Sequence, residues 1–124
     1  MLVRVFALFL LAAPSLAQVR IQEILYDGPG SDADDAFTEL SGPPGQSLDG
    51  WSLVGINGTT ASAYRTVPLA GDIPPDGLYV VATESASPSL ALLRDHIGNV
   101  DWQNGPDAVQ LHDPTGSVVD AVQY

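Results

Sequence analysis

The stretch that most narrows the folds open to this chain runs from Phe37 to Ile56, F-T-E-L-S-G-P-P-G-Q-S-L-D-G-W-S-L-V-G-I. Two short pieces with alternating apolar residues, Phe37 to Leu40 and Trp51 to Ile56, flank a linker of glycine, proline and serine. Pro43 and Pro44 bring no N–H to a ladder, and the linker is far longer than the two-residue loop of a tight hairpin. A chain built this way crosses between two packed sheets here, and does not turn back within one. Trp51, directly after the turn-type Asp49-Gly50, is the expected centre of a small sandwich core.

The same grammar recurs on either side. Val19 to Tyr26 is rich in β-branched and large apolar residues and ends at Asp27-Gly28-Pro29-Gly30, a cluster of turn formers. Strict alternation in this first strand would put Glu23 on the face shared by Val19, Ile21 and Leu25. Either a β-bulge shifts the phase near Glu23, or Glu23 is paired with Arg20, Arg65 or Arg94. Asn57-Gly58 is a strong turn signal; Asn57-Gly58-Thr59 also matches a glycosylation acceptor, a tripeptide too common to outweigh the turn.

Further strands are expected at Tyr64 to Leu69, at Leu78 to Ala82 and at Asp107 to His112, with Ser117 to Tyr124 as the closing strand. Leu78 to Ala82 is a nearly continuous apolar run, as suits a central strand covered on both faces or one deep in a sandwich. Asp113-Pro114-Thr115-Gly116 supplies the last hairpin connection. Pro88 can occupy the first turn of a helix and is followed by Leu90, Leu92 and Leu93, so one short helix or ordered loop is expected near residues 88–95. Many short strands, turn chemistry between them and little helix point to an all-β sandwich.

The chain opens with a short positive end, Met1 to Arg4, an apolar run from Val5 and small residues at Ser15 and Ala17. That order is the secretory signal pattern, with cleavage expected between Ala17 and Gln18. The uncharged stretch is shorter than the about 20 residues that span a bilayer. Residues 1–17 are therefore read as a signal peptide and 18–124 as one exported domain, extracellular or periplasmic, without a membrane span. Cysteine is absent, so stability must come from packing.

The net charge of −11 falls to −12 once Arg4 leaves with the leader, because three arginines then face 15 acidic residues, and lysine does not occur. Polyanion binding relies on lysine and arginine displacing counterions, so such a surface disfavours nucleic acid and anionic membranes. Solubility of an extracellular domain is the expected reason for the acidity, with a specific acidic role as the alternative.

Read in order, several motifs resemble one family. They are Val19-x-Ile21-x-Glu23-Ile24, Asp34-Asp35-Ala36-Phe37-Thr38-Glu39-Leu40 before a Gly/Pro break, Leu48-Asp49-Gly50-Trp51-Ser52-Leu53 and Leu78-Tyr79-Val80-Val81. Asn104-Gly105-x-Asp107-Ala108-Val109-x-Leu111-x-Asp113-x-x-Gly116-x-Val118-Val119-Asp120-x-Val122-x-Tyr124 completes the set. The chain resembles the lamin tail domain, in the type found in exported bacterial proteins. Ser41-Gly42 departs from the asparagine usual there. The resemblance implies an immunoglobulin-like β-sandwich and a non-catalytic interaction module of the kind appended to envelope proteins, adhesion architectures or secreted nucleases and phosphatases. Nucleic-acid binding attributed to lamin versions does not carry over to a chain without a basic surface.

Among residues that could carry chemistry, Asp27, Asp32, Asp34, Asp35 and Glu39 thread a Gly/Pro loop and are candidate calcium ligands, since calcium collects six to eight oxygens from such loops. Their spacing lacks the EF-hand pattern, and a solvated acidic loop is the competing reading. His96 and His112 lie far apart and have no cysteine to help them, which argues against a transition-metal site. No nucleophile elbow is present, and His112 and Asp113 are sequence neighbours that rarely orient each other as base and partner. A domain of this size has little material for the two-carboxylate cleft of a glycosidase.

Trp102, beside Asp101, Gln103 and Asn104, resembles a sugar-stacking group. That role requires it exposed on a flat face near Tyr26 or Tyr64; the alternative is a tryptophan closing one end of the core. The function expected from all of this is a secreted, non-enzymatic module binding a protein partner, with the closing strand Val118 to Tyr124 as a candidate edge for strand addition. The alternatives are a calcium- or carbohydrate-binding module and, last, an accessory to a secreted nuclease or phosphatase.

Overall fold

A computed structural model describes residues 18–124, so the expected signal peptide lies outside the described residues. Within them the elements run β1 (Arg20–Leu25), α1 (Asp32–Asp35), β2 (Phe37–Ser41), β3 (Ser52–Asn57), β4 (Ser62–Pro68), β5 (Leu78–Ala82), α2 (Pro88–Leu93), β6 (His96–Ile97), β7 (Asp107–His112) and β8 (Val118–Gln123). They form two four-stranded sheets, ordered β1-β2-β5-β6 and β4-β3-β7-β8. The Gly/Pro linker therefore does carry the chain from one sheet to the other. It is pinned along the way: Leu48 is fully buried, its N–H donates to the Gly71 carbonyl at 2.7 Å, and Gly45 and Gln46 exchange bonds with Ile73.

The layers meet over a core of Leu40, Leu53, Val81, Val100, Val109 and Leu111, joined by Trp102 at 2 % exposure. Trp51 is not its centre. It sits at the strand end beside the Asp49-Gly50 turn and only packs against the core from its margin. The middle belongs to Trp102, and the reason lies on β3. A Cβ at Gly55 would stand 3.0 Å from the Trp102 ring and 2.7 Å from the Tyr64 ring, so only glycine leaves room for the indole. From there the Trp102 Nε1–H reaches across to Thr38 Oγ1 on β2 at 3.0 Å, tying one sheet to the other inside the core.

In β1 the bulge solves the phase problem. The pairing with β2 slips between Ile21 and Glu23, which turns Ile21 and Ile24 towards the core and leaves Glu23 exposed. The Pro88–Leu93 helix forms within the expected window, with proline in its first turn. Two elements have no counterpart in the sequence reading. The acidic loop contains a single helical turn, α1, and β6 adds two residues parallel to β5. Elements of four and two residues are too short to leave a periodic signal.

The last hairpin owes its shape to Asp113. Its Oδ1 accepts from the Thr115 N–H, the Thr115 hydroxyl and the Ser117 N–H. The Thr115 hydroxyl bond, followed by those N–H groups, holds the Asp113 carboxyl below the usual carboxylate range.

Candidate interaction face

The five acidic residues singled out from the sequence do not converge. Asp27 is exposed after β1, Asp32, Asp34 and Asp35 lie on the one turn of α1, and Glu39 lies on β2. Among the described residues no three His, Cys, Asp or Glu side chains come together as a metal-holding group. The loop thus presents separate carboxylates and no preformed cage. What holds α1 in place is bonding to its backbone carbonyls. The Thr83 hydroxyl donates to the Ala33 carbonyl, the Ser87 N–H donates to the Asp34 carbonyl at 2.9 Å, and Ala36 is fully buried beneath. Gly28 lets the preceding loop lie against Asp35, where a Cβ would come within 2.7 Å of the Asp35 Cβ.

The outer face of the first sheet is built by register. Thr38 and Leu40 point inward, so Phe37 and Glu39 point outward. Phe37 pairs with Leu25 on β1 and with Ala82 on β5, giving an apolar row. One step along, Glu39 pairs with Glu23, so two carboxylates stand directly opposite each other across the strands. Like charges in that position repel.

Above the apolar row α2 leaves a groove of about 320 Å³, lined by Leu25, Pro29, Phe37, Leu90 and Leu93 with Asp35 at its side. Leu92 and Leu93 are 88 % and 68 % exposed. Sequence reasoning found this helix but not the site it makes. The signal was there: Leu90, Leu92 and Leu93 on fewer than two turns cannot all face one sheet.

The closing strand β8 is a sheet edge, as expected, but not a free one. Asp120 Oδ2 accepts the Ile21 N–H of the neighbouring edge strand β1 at 2.8 Å, and Oδ1 accepts the Ala121 N–H at 2.9 Å. One carboxylate thereby occupies edge donors on both strands.

At the end of the sandwich Tyr26 and Tyr124 stack with ring centroids 4.2 Å apart. The Tyr124 hydroxyl donates to the Gln103 carbonyl, and the Gln103 N–H donates to the Tyr64 hydroxyl, each at 3.0 Å. Burial, and after it the neighbouring Tyr64 phenol, push the Tyr124 phenol up from its ordinary pKa. These tyrosines fasten the Trp102 loop. With Trp102 itself at 2 % exposure, the flat exposed tryptophan that sugar stacking requires is not formed, because the indole fills the slot over Gly55.

The histidines are occupied separately. His96 Nε2 lies 3.0 Å from the Pro68 carbonyl and His112 Nε2 lies 2.9 Å from Gln110 Oε1. Asp107, 7 % exposed, accepts the Gly58 N–H at Oδ1 and so ties the Asn57-Gly58 turn to β7.

No helix of the described residues is long and apolar enough to cross a membrane. No curated protein matches the chain. The family model of the Lamin Tail Domain matches residues 12–124, which takes in both sheets, the inter-sheet linker and the closing hairpin. The lamin tail domain is a non-catalytic immunoglobulin-like module, and with a match of that extent to a sandwich of this topology, the chain belongs to the lamin tail domain family.

Proposed function

We propose that this chain is an exported, non-catalytic binding module that holds a protein partner at the cell envelope or outside it, through the outer face of β1, β2 and β5 beside α2. The observation that carries the reading is Leu93, 68 % exposed on the wall of an apolar groove, with Leu92 beside it in α2 at 88 %, on a strongly acidic chain. Large apolar side chains left in water next to a concave apolar surface mark contact sites more often than they serve the fold. The leader pattern supports export, and the acid-rich surface argues against nucleic acid as the partner. Strand addition at β8 competes less well, because Asp120 would have to release its two N–H partners first.

The test uses the protein recovered from the periplasm or medium of its host, which is expected to begin at Gln18. Leu92→Ser with Leu93→Ser removes apolar surface that the fold does not bury, so melting should shift by no more than about 0.5 kcal/mol in stability. Capture of the native partner should fall by tenfold or more. Undiminished capture by a folded double variant would remove this face from the function.

A further inference from the structure

We infer that the partner segment fitting this face is cationic and amphipathic, with apolar side chains entering the groove and lysine or arginine side chains meeting the carboxylates around it. The inference rests on the reading above that the face binds protein, and it adds the chemistry of what is bound. The groove walls supplied by Leu25, Phe37, Leu90 and Leu93 ask for apolar groups, and its volume of about 320 Å³ suits a few side chains and not a folded surface. Around it carboxylates predominate, the one cation at the end of α2, Arg94, being turned to the Thr83 carbonyl. Asp35 stands at the side of the groove, Asp32 and Asp34 share its helical turn, and Glu23 and Glu39 form the next row of the same sheet face.

Glu23 and Glu39 are the more telling pair. Like charges placed directly across a ladder cost stability in the free protein. A cation set between them would turn that repulsion into attraction.

A second copy of this chain is the wrong occupant. It has no lysine and a net charge of −11. Of the arginines among the described residues, Arg65 donates to the Asp101 carbonyl and lies over the Tyr64 ring, Arg94 donates to the Thr83 carbonyl, and Arg20, at the start of β1, is the exposed one. Two such surfaces brought together would set carboxylates against carboxylates, which costs association energy. An anionic membrane is repelled for the same reason.

The experiment measures binding of the exported protein to three synthetic probes by fluorescence anisotropy: a helical leucine–lysine peptide with leucines on one face, its leucine–glutamate counterpart, and a lysine peptide without leucines. The leucine–lysine peptide should bind at least tenfold more tightly than either of the others. Its affinity should fall severalfold as the screening length shrinks from about 30 Å to about 8 Å between dilute and physiological salt. Leu93→Ser should weaken binding about tenfold.

Asp35→Asn with Glu39→Gln should weaken it about fivefold, in keeping with the modest worth of exposed ion pairs, and should leave the fold intact because it relieves the Glu23 repulsion. Equal binding of the glutamate counterpart overturns the inference and leaves the protein-binding reading standing. Binding of the lysine peptide as tight as that of the leucine–lysine peptide, unaffected by Leu93→Ser, reduces the effect to general charge attraction and overturns it as well. If no peptide binds while the Leu92 and Leu93 substitutions still cost the native partner, only the cationic class is wrong. If those substitutions cost nothing, both readings fall together.

Discussion

At the scale of single residues, the sandwich turns on a tryptophan whose importance depends on a glycine far away in the chain. Trp102 lies in an irregular segment before β7, and nothing in its neighbours marks it as central. Gly55 supplies the space and Thr38 the acceptor, from two other strands in two different sheets. That is why Trp51, with its strong local turn signal, is the natural choice from sequence and Trp102 is the observed one. Local patterning shows which residues are apolar and in what phase, whereas the choice between two tryptophans is made by a vacancy on a partner strand. Glu23 is the opposite case: the sequence narrows it to a bulge or a pairing, and the register decides for the bulge.

The Trp102 bridge is open to direct test, because Thr38 is fully buried. Thr38→Val keeps the shape but leaves the indole N–H without an acceptor, and such an orphaned donor costs about 1–3 kcal/mol. The urea midpoint should drop accordingly with an unchanged slope. An unchanged midpoint would mean that the bond contributes nothing to holding the two sheets.

At the scale of elements, the strands were legible because each carries its own alternation and is bounded by its own turn chemistry. Pro43-Pro44, Asn57-Gly58 and the Asp113 to Gly116 turn all break the chain where the structure breaks it. The short elements α1 and β6 were not legible, since they exist by virtue of bonds to Thr83, Ser87 and β5 and not by propensity. The state of the β8 edge was equally hidden. Sequence places β8 last, and only the packing of the second sheet beside β1 brings Asp120 to the Ile21 N–H. Carboxylates on an edge also block unwanted pairing with other chains. Asp120→Ala should therefore free the Ile21 and Ala121 donors, lower stability by about 1–2 kcal/mol and raise the rate of self-association measured by light scattering. A variant that stays monomeric and melts unchanged would show that these bonds do not guard the edge.

At the scale of the whole molecule, the described residues form two sheets closed over an apolar core, and the surface is where contact with a partner must be made. The acidic composition was plain from the sequence, but its arrangement was not. The five candidate calcium ligands are spread over a loop, a helical turn and a strand, and one of them, Asp35, lies beside an apolar groove that appears only when β1, β2 and α2 are brought together. On the function proposed above, this face, and not the β8 edge, is where the module makes contact. Amide hydrogen exchange of the protein, with and without the leucine–lysine peptide at saturation, tests this. Slowed exchange is expected across residues 25–37 and 87–97, with 118–123 unchanged. Protection confined to 118–123, with the face around α2 unaffected, would contradict the claim and return the function to strand addition at the closing edge.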